Sequence, residues 1–243
     1  MRKIEKCYLD HRGERIFYEV ERRAVKRLNM RVRRDGSVHV SAPRQVPIAT
    51  VQRFVEERAG WIVDARHRVL ARRPTTFVPI DGAMLPIAGK SYYLTVVKGK
   101  QGVTTDGDRL LLSLRDPTDM EEGLRVIRRF VKAQAATVLT AAVERIYPTF
   151  APNPPTLPQL SIRWMRTRWG SCTAAKNHIT LNEKLVFLEP GLIDYVIYHE
   201  FCHFKHQDHS PAFYQHLSRY FPQYAAARRA LSLTAVPALY ADR

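Results

Sequence analysis

Cysteine is scarce in this chain of 243 residues: Cys7, Cys172 and Cys202 are too few and too scattered for a disulfide framework. A reducing, intracellular home is therefore expected. The opening residues, Met1-Arg2-Lys3-Ile4-Glu5, lack the apolar core of a secretion signal. No run approaches the roughly 20 apolar residues of a membrane span, so a cytoplasmic chain with no membrane partner is expected. No repeat of fixed period and no low-complexity segment is visible. Gly-rich phosphate loops are missing as well, which weakens a nucleotide-binding reading. Acidic residues are short: 23 Asp and Glu face 39 Lys and Arg, a net charge of +16. Such a surface draws polyanions or acidic partners.

What is present suits a folded α+β protein, with 45% hydrophobic residues and length for one large domain or two smaller ones. Much of the excess charge lies early, where the first 73 residues carry 19 Lys and Arg against 9 Asp and Glu. Ile16–Val20, Leu28–Val32 and Ser37–Val40 read as strands, and Asp35-Gly36 as a hairpin turn between the last two. A helix is expected from about 47 to 70, with Ile48, Val51, Phe54, Val55, Trp61 and Ile62 on its apolar stripe. Residues 74–117 read as a second β-rich stretch with strands at Phe77–Ile80, Tyr92–Val97 and Leu110–Leu112, the last after an Asp106-Gly107 turn. Thr118 to Glu121 reads as a capping box opening a long helix that Pro148 stops. Two regions are thus expected: 1–117, basic and β-rich with one helix, and 118–243.

In the second region Ser161–Met165 reads as a strand, Arg168–Cys172 as a turn-like segment, and His178–Asn182 as a strand completing a hairpin. Glu189-Pro190-Gly191 starts a helix, with Pro tolerated in its first turn. It runs through Leu192, Ile193, Val196 and Ile197 into His199-Glu200-Phe201-Cys202-His203 and is expected to end near 206–208. His199 and His203 lie one turn apart on one face, where both imidazoles can reach one metal ion. Glu200 is offset toward the metal's neighbourhood. This is the H-E-x-x-H arrangement in which Glu serves as general base beside zinc. Coincidence on a surface helix is the rival explanation. The apolar run before the motif argues against it, since it carries His199 and Glu200 inward, where polar groups need partners.

A catalytic zinc takes three protein ligands and leaves one position open. The third could be His206, His209, Cys172, Cys202 or an acid. His206 would sit about 10.5 Å from His199 along a continuous helix, which strains both side chains. A chain that turns back can deliver His209, and Ser210-Pro211 marks such a turn. Cys202 points about 100° away from His203. After His203 the chain has no Glu, and its only acids are Asp208 and Asp242. The spacing also matches the metzincin pattern H-E-x-x-H-x-x-G-x-x-H. However, His206 replaces the Gly, and no Met follows Met165.

Four stretches together resemble a known family: Arg168–Cys172, His178–Asn182, Tyr195–His203 and His209–Phe213. They look like the YgjP-like zinc metallopeptidase family, which is related to the SprT-like proteins. The resemblance is specific over about 160–220 and extends more weakly to Ser41-Ala42-Pro43-Arg44 and Trp61-Ile62. It implies a zincin-like α+β catalytic domain over 118–243. It also implies zinc held by His199, His203 and His209, with Glu200 catalytic, acting on a peptide or protein substrate. Tyr214 departs from the family, where the aromatic is often Trp. An oxyanion donor is expected among Tyr195, Tyr198, Tyr214, His216 and Arg168. His178–Asn182 is expected to bind extended peptide as an edge strand, or merely to cover the motif helix. Two other functions compete: a metal-dependent nucleotide phosphohydrolase, and a nucleic-acid-binding protein with a structural zinc.

Overall fold

The computed structural model describes residues 4–33, 35–71 and 76–239. They form an α+β structure that divides into two compact units. Described residues up to 71 belong to the first, with Ser232–Ala235, and residues 76–231 and 236–239 to the second.

The first unit holds β1 (Ile4–His11), β2 (Glu14–Arg23), β3 (Asn29–Val32) and β4 (Val38–Pro43), in the order β1-β2-β4-β3. Strand β1 is an addition to the expected elements. It pairs with β2 through a tight turn at Arg12-Gly13, both at positive φ. Asp35-Gly36 makes the expected turn between β3 and β4, with Gly36 at φ +83°. Alternation buries Leu9, Ile16, Tyr18, Val20 and Val40 on one face. The covering layer is α1 (Ile48–Glu56) and α2 (Ala59–Ala71), through Val51, Val55, Ala59 and Ile62. The single helix expected over 47–70 is thus two. The chain tightens after Glu56, where the Arg58 N–H bonds the Val55 carbonyl three residues back. Trp61 and Ile48, expected on the buried stripe, are exposed.

The second unit begins with β5 (Met84–Ile87), β6 (Lys90–Lys98), β7 (Gly102–Asp106) and β8 (Arg109–Leu114), ordered β5-β6-β8-β7. The expected strand at Phe77–Ile80 is irregular chain, with a single bridge at Thr76. Helix α3 (Met120–Ile146) covers this sheet. Its N-cap is Asp119, whose carboxylate accepts from the Glu122 N–H, one residue past the expected cap. Thr118 instead donates to Asp116. Leu85, Leu94, Leu110 and Leu112 share one core with Ile127, Val131 and Leu139 of α3 and with Ile197 and Phe201 beyond it. The compact units of the described residues divide between 71 and 76, so this sheet and α3 belong to one unit. A sheet with one apolar face needs a covering layer, and α3 is that layer.

Next come β9 (Gln159–Arg163), β10 (Gly170–Thr173) and β11 (His178–Asn182), ordered β10-β11-β9. Gly170–Cys172, expected within the turn-like segment Arg168–Cys172, is instead part of a strand antiparallel to β11, and the reversal uses Asn177 at φ +44°. Strand β9 pairs with β11 in parallel. His178–Asn182 is therefore the interior strand, and β10 and β9 are the edges. Helix α4 (Pro190–Cys202) packs on β10 and α3, followed by α5 (Pro211–Tyr220) and α6 (Tyr224–Leu233). Among the described residues, no helix is long and apolar enough to cross a membrane.

Candidate metal centre

Helix α4 ends earlier than expected. Pro190 opens it at the first turn, and its last helical residue is Cys202, with His203 as C-cap. Beyond it the Phe204 and Lys205 N–H groups each bond a carbonyl three residues back, and His206 N–H bonds the Cys202 carbonyl. The chain then returns through Asp208, whose carboxyl is held low by a hydrogen bond from Ser210. Ser210 also caps α5 by accepting from the Phe213 N–H, with Pro211 at the first helical position. This turn-cap-helix sequence delivers His209 back to the end of α4.

His199, His203 and His209 come together there, with one ligand nitrogen from each lying within 4.8 Å of the others. The Nε2 atoms of His199 and His209 face each other at 2.9 Å. The His203 Nδ1–H donates to the His206 carbonyl at 2.9 Å. A carbonyl only accepts, so this bond sets the tautomer and leaves the Nε2 lone pair of His203 free to bind a metal. Burial lowers the pKa of both His199, to about 3, and His203, and neighbouring imidazoles add to the effect. Both rings are neutral at pH 7, the state a metal requires. Among the described residues, the buried Nδ1 of His199 has no hydrogen-bond partner. The facing Nε2 pair can be bridged by one proton or one cation. Three imidazoles gathered in this way suit zinc or another first-row metal, so the residues fit the ion.

One side chain packs against all three rings. Phe213, fully buried in α5, lies 4.9 Å from the His199 ring, 4.7 Å from His203 and 5.0 Å from His209. In the sequence it stands out as an apolar helix position at the end of the His209–Phe213 stretch, with no sign of its contact with the three rings.

Glu200 is 5% exposed, between the imidazoles and β10. Burial pushes its carboxyl up to about 8, against a smaller opposing pull from Arg168. The site opens into a cleft of about 810 Å³ whose near wall is Arg168 through Ala175, so edge strand β10 runs along it. Tyr195 and Arg168 line this cleft. Tyr198 packs instead against Phe150 and Phe221, His216 against His206 and Tyr220, and Tyr214 stacks on Tyr224. Burial pushes the Tyr195 phenol up to about 12, leaving it a neutral O–H. Of the other ligand candidates, Cys172 lines the cleft and Cys202 is buried within α4. Burial raises both thiols to about 12, with the Glu200 charge adding at Cys172. His206 turns its ring to His216 and supplies only its carbonyl to the centre.

The segment entering β10 is pinned by Asn182, 2% exposed. Its Nδ2 donates to the carbonyls of Met165 at 2.8 Å and Arg168 at 2.6 Å. Its Oδ1 accepts from the N–H groups of Met165 at 3.3 Å and Lys184 at 3.1 Å.

A family model described as YgjP-like, metallopeptidase domain, matches residues 26–233. The match spans both units and omits β1 and β2. No curated protein matches the sequence. Among solved structures, the metallopeptidase zymogen of Methanocaldococcus jannaschii, jannalysin, is 22% identical over 38% of this chain and 92% of that one, with a TM-score of 0.34.

Proposed function

Since the chain belongs to the YgjP-like metallopeptidase family, we propose that it hydrolyses peptide bonds with a zinc ion held by His199, His203 and His209, and that Glu200 is its general base. The observation that carries this reading is the convergence of three imidazole nitrogens within 4.8 Å beside a buried, cleft-lining carboxyl. When bound, the metal supplies Lewis acidity, polarising a carbonyl and lowering the pKa of water.

The chain's own residues supply the rest. Phe213 and the His206 carbonyl fix the ring orientations. Glu200 takes a proton from water at its carboxylate and returns it to the leaving amine. The Tyr195 hydroxyl and the Arg168 guanidinium are the two expected oxyanion donors that reach the cleft, and either can donate to the developing negative oxygen. The free backbone edge of β10 offers N–H and C=O groups to an extended peptide, the role expected of His178–Asn182 before β11 proved interior. The basic first unit, with Tyr8 and Phe17 exposed side by side on its sheet, suits an acidic partner or nucleic acid.

A metal-dependent nucleotide phosphohydrolase is the second reading. It is favoured by Arg168 on the cleft wall, because guanidinium suits phosphate as well as carboxylate. A purely structural zinc fits less well, because such sites are closed by four protein ligands and this group has three beside an open cleft.

The test is metal analysis with a quenched-fluorescence peptide library and a nucleotide panel, on wild type and Glu200→Gln. Peptide cleavage that Glu200→Gln abolishes without losing zinc is the expected result. Nucleotide hydrolysis that needs Glu200, with no peptide cleaved, would replace this reading by the second.

A further inference from the structure

We propose that Gly170 is a positioning residue for Glu200: the side chain it lacks is the space in which the Glu200 carboxyl sits. The proposal rests on Glu200 being the proton-carrying residue. A Cβ built on Gly170 would stand 2.5 Å from Glu200 Oε1 and 2.8 Å from both Cδ and Cγ. These three nearest atoms all belong to one side chain. Ordinary carbon contacts lie at about 3.5–4.0 Å, so alanine there displaces the carboxyl by about 1 Å.

The glycine is needed for space and not for conformation. Gly170 is absent from the glycines at positive φ, so its backbone accepts an L side chain. Retreat is blocked on the strand side. Gly170 pairs in register with Leu181, and the Trp169 carbonyl accepts from the Asn182 N–H at 2.9 Å. The Asn182 side chain holds Met165 and Arg168 just before it. On the helix side Glu200 is itself buried, on the helix that packs against β10. The remaining way out for a displaced carboxyl is along the cleft, away from its present place beside the imidazoles. This also accounts for a glycine at the start of a strand, where a residue with a side chain would pair better.

A misplacement of about 1 Å in a catalytic group costs roughly 100-fold in rate. Gly170→Ala is expected to keep one zinc per chain, keep KM, and lose kcat about 100-fold on the best-cleaved quenched-fluorescence peptide of the library. Its crystal structure is expected to show the Glu200 carboxyl moved by about 1 Å. Gly191→Ala is the control: it lies in the first turn of α4, with nothing within 4 Å of its added Cβ, and should behave as wild type. A double-mutant cycle with Glu200→Asp tests the contact itself, because the shorter acid makes room. The two losses should combine to less than their product in kcat, and to less than their sum in thermal midpoint. The midpoint arm still decides if Gly170→Ala alone is too unstable to assay.

Wild-type kcat in Gly170→Ala, an unmoved carboxyl, or fully independent losses would overturn the proposal. Wild-type activity in Glu200→Gln would instead overturn the role of Glu200 itself.

Discussion

Replacing Phe213 with alanine separates two things this side chain does. Its ring is fully buried and packs within 4.7–5.0 Å of all three candidate ligand rings. Truncating a buried Phe to Ala costs about 3–5 kcal/mol in lost transfer energy and cavity. That loss should appear in the metal-free protein as a lower urea midpoint at unchanged slope. A second loss is specific to the centre. With the shared wall gone, His199, His203 and His209 each regain ring rotations that the folded wild type excludes. Losing such a supporting contact typically lowers metal affinity 10–100-fold, about 1.4–2.8 kcal/mol. Zinc affinity is measured by competition with a chromophoric chelator, on protein shown to be folded by circular dichroism. Zinc stabilisation at fixed free metal should shrink by the same amount, since it follows the ratio of free metal to Kd. Phe213→Leu keeps much of the volume and should fall between the two in both measurements. A destabilised Phe213→Ala that binds zinc within twofold of wild type would refute the idea that this ring organises the ligands.

Three further outcomes follow from the same geometry. Glu200 carries a pKa raised to about 8 from an ordinary 4.5, so between those values the folded metal-free protein binds more protons than the unfolded chain, and this group's contribution falls as pH rises. Metal-free Glu200→Gln should therefore gain stability over wild type between pH 5 and pH 8.5 in urea titrations, and a difference that stays constant would contradict the buried carboxyl. Asn182→Asp turns two short donated bonds into oxygen–oxygen contacts with the Met165 and Arg168 carbonyls. It should cost about 1–3 kcal/mol for each buried group left unpaired, and an unchanged urea midpoint would show that the pin is dispensable. Arg168→Ala should weaken cleavage more for acidic than for basic peptides in the library, and equal effects on both would remove it from substrate contact.

The histidine motif was legible because helix geometry is local: a spacing of four residues puts His199 and His203 on one face whatever surrounds them. The Asp35-Gly36 turn and the start of α4 at Pro190 were legible for the same reason. Strand neighbours were not. β9 pairs with β11 across a long stretch of chain that contains β10, and nothing in His178–Asn182 itself says that both its edges are taken. Gly170-Ser171-Cys172 reads as a turn by composition, yet it is a strand whose small first residue answers to a side chain thirty positions later. The helix ends at Cys202 and not near 206–208 because carbonyls three residues back capture the Phe204 and Lys205 N–H groups, and His203 takes the carbonyl of His206. The contact of Phe213 with three rings is tertiary and leaves no mark in its spacing.

Three imidazoles sharing one metal ion lie at the heart of the proposed site, and counting the metal tests that sharing directly. Zinc per chain is measured by mass spectrometry on wild type and on a variant in which His199, His203 and His209 are all replaced by alanine. Near one zinc per chain in wild type, and near none in the folded triple variant, is the predicted result. Metal content unchanged by losing all three histidines would contradict the account.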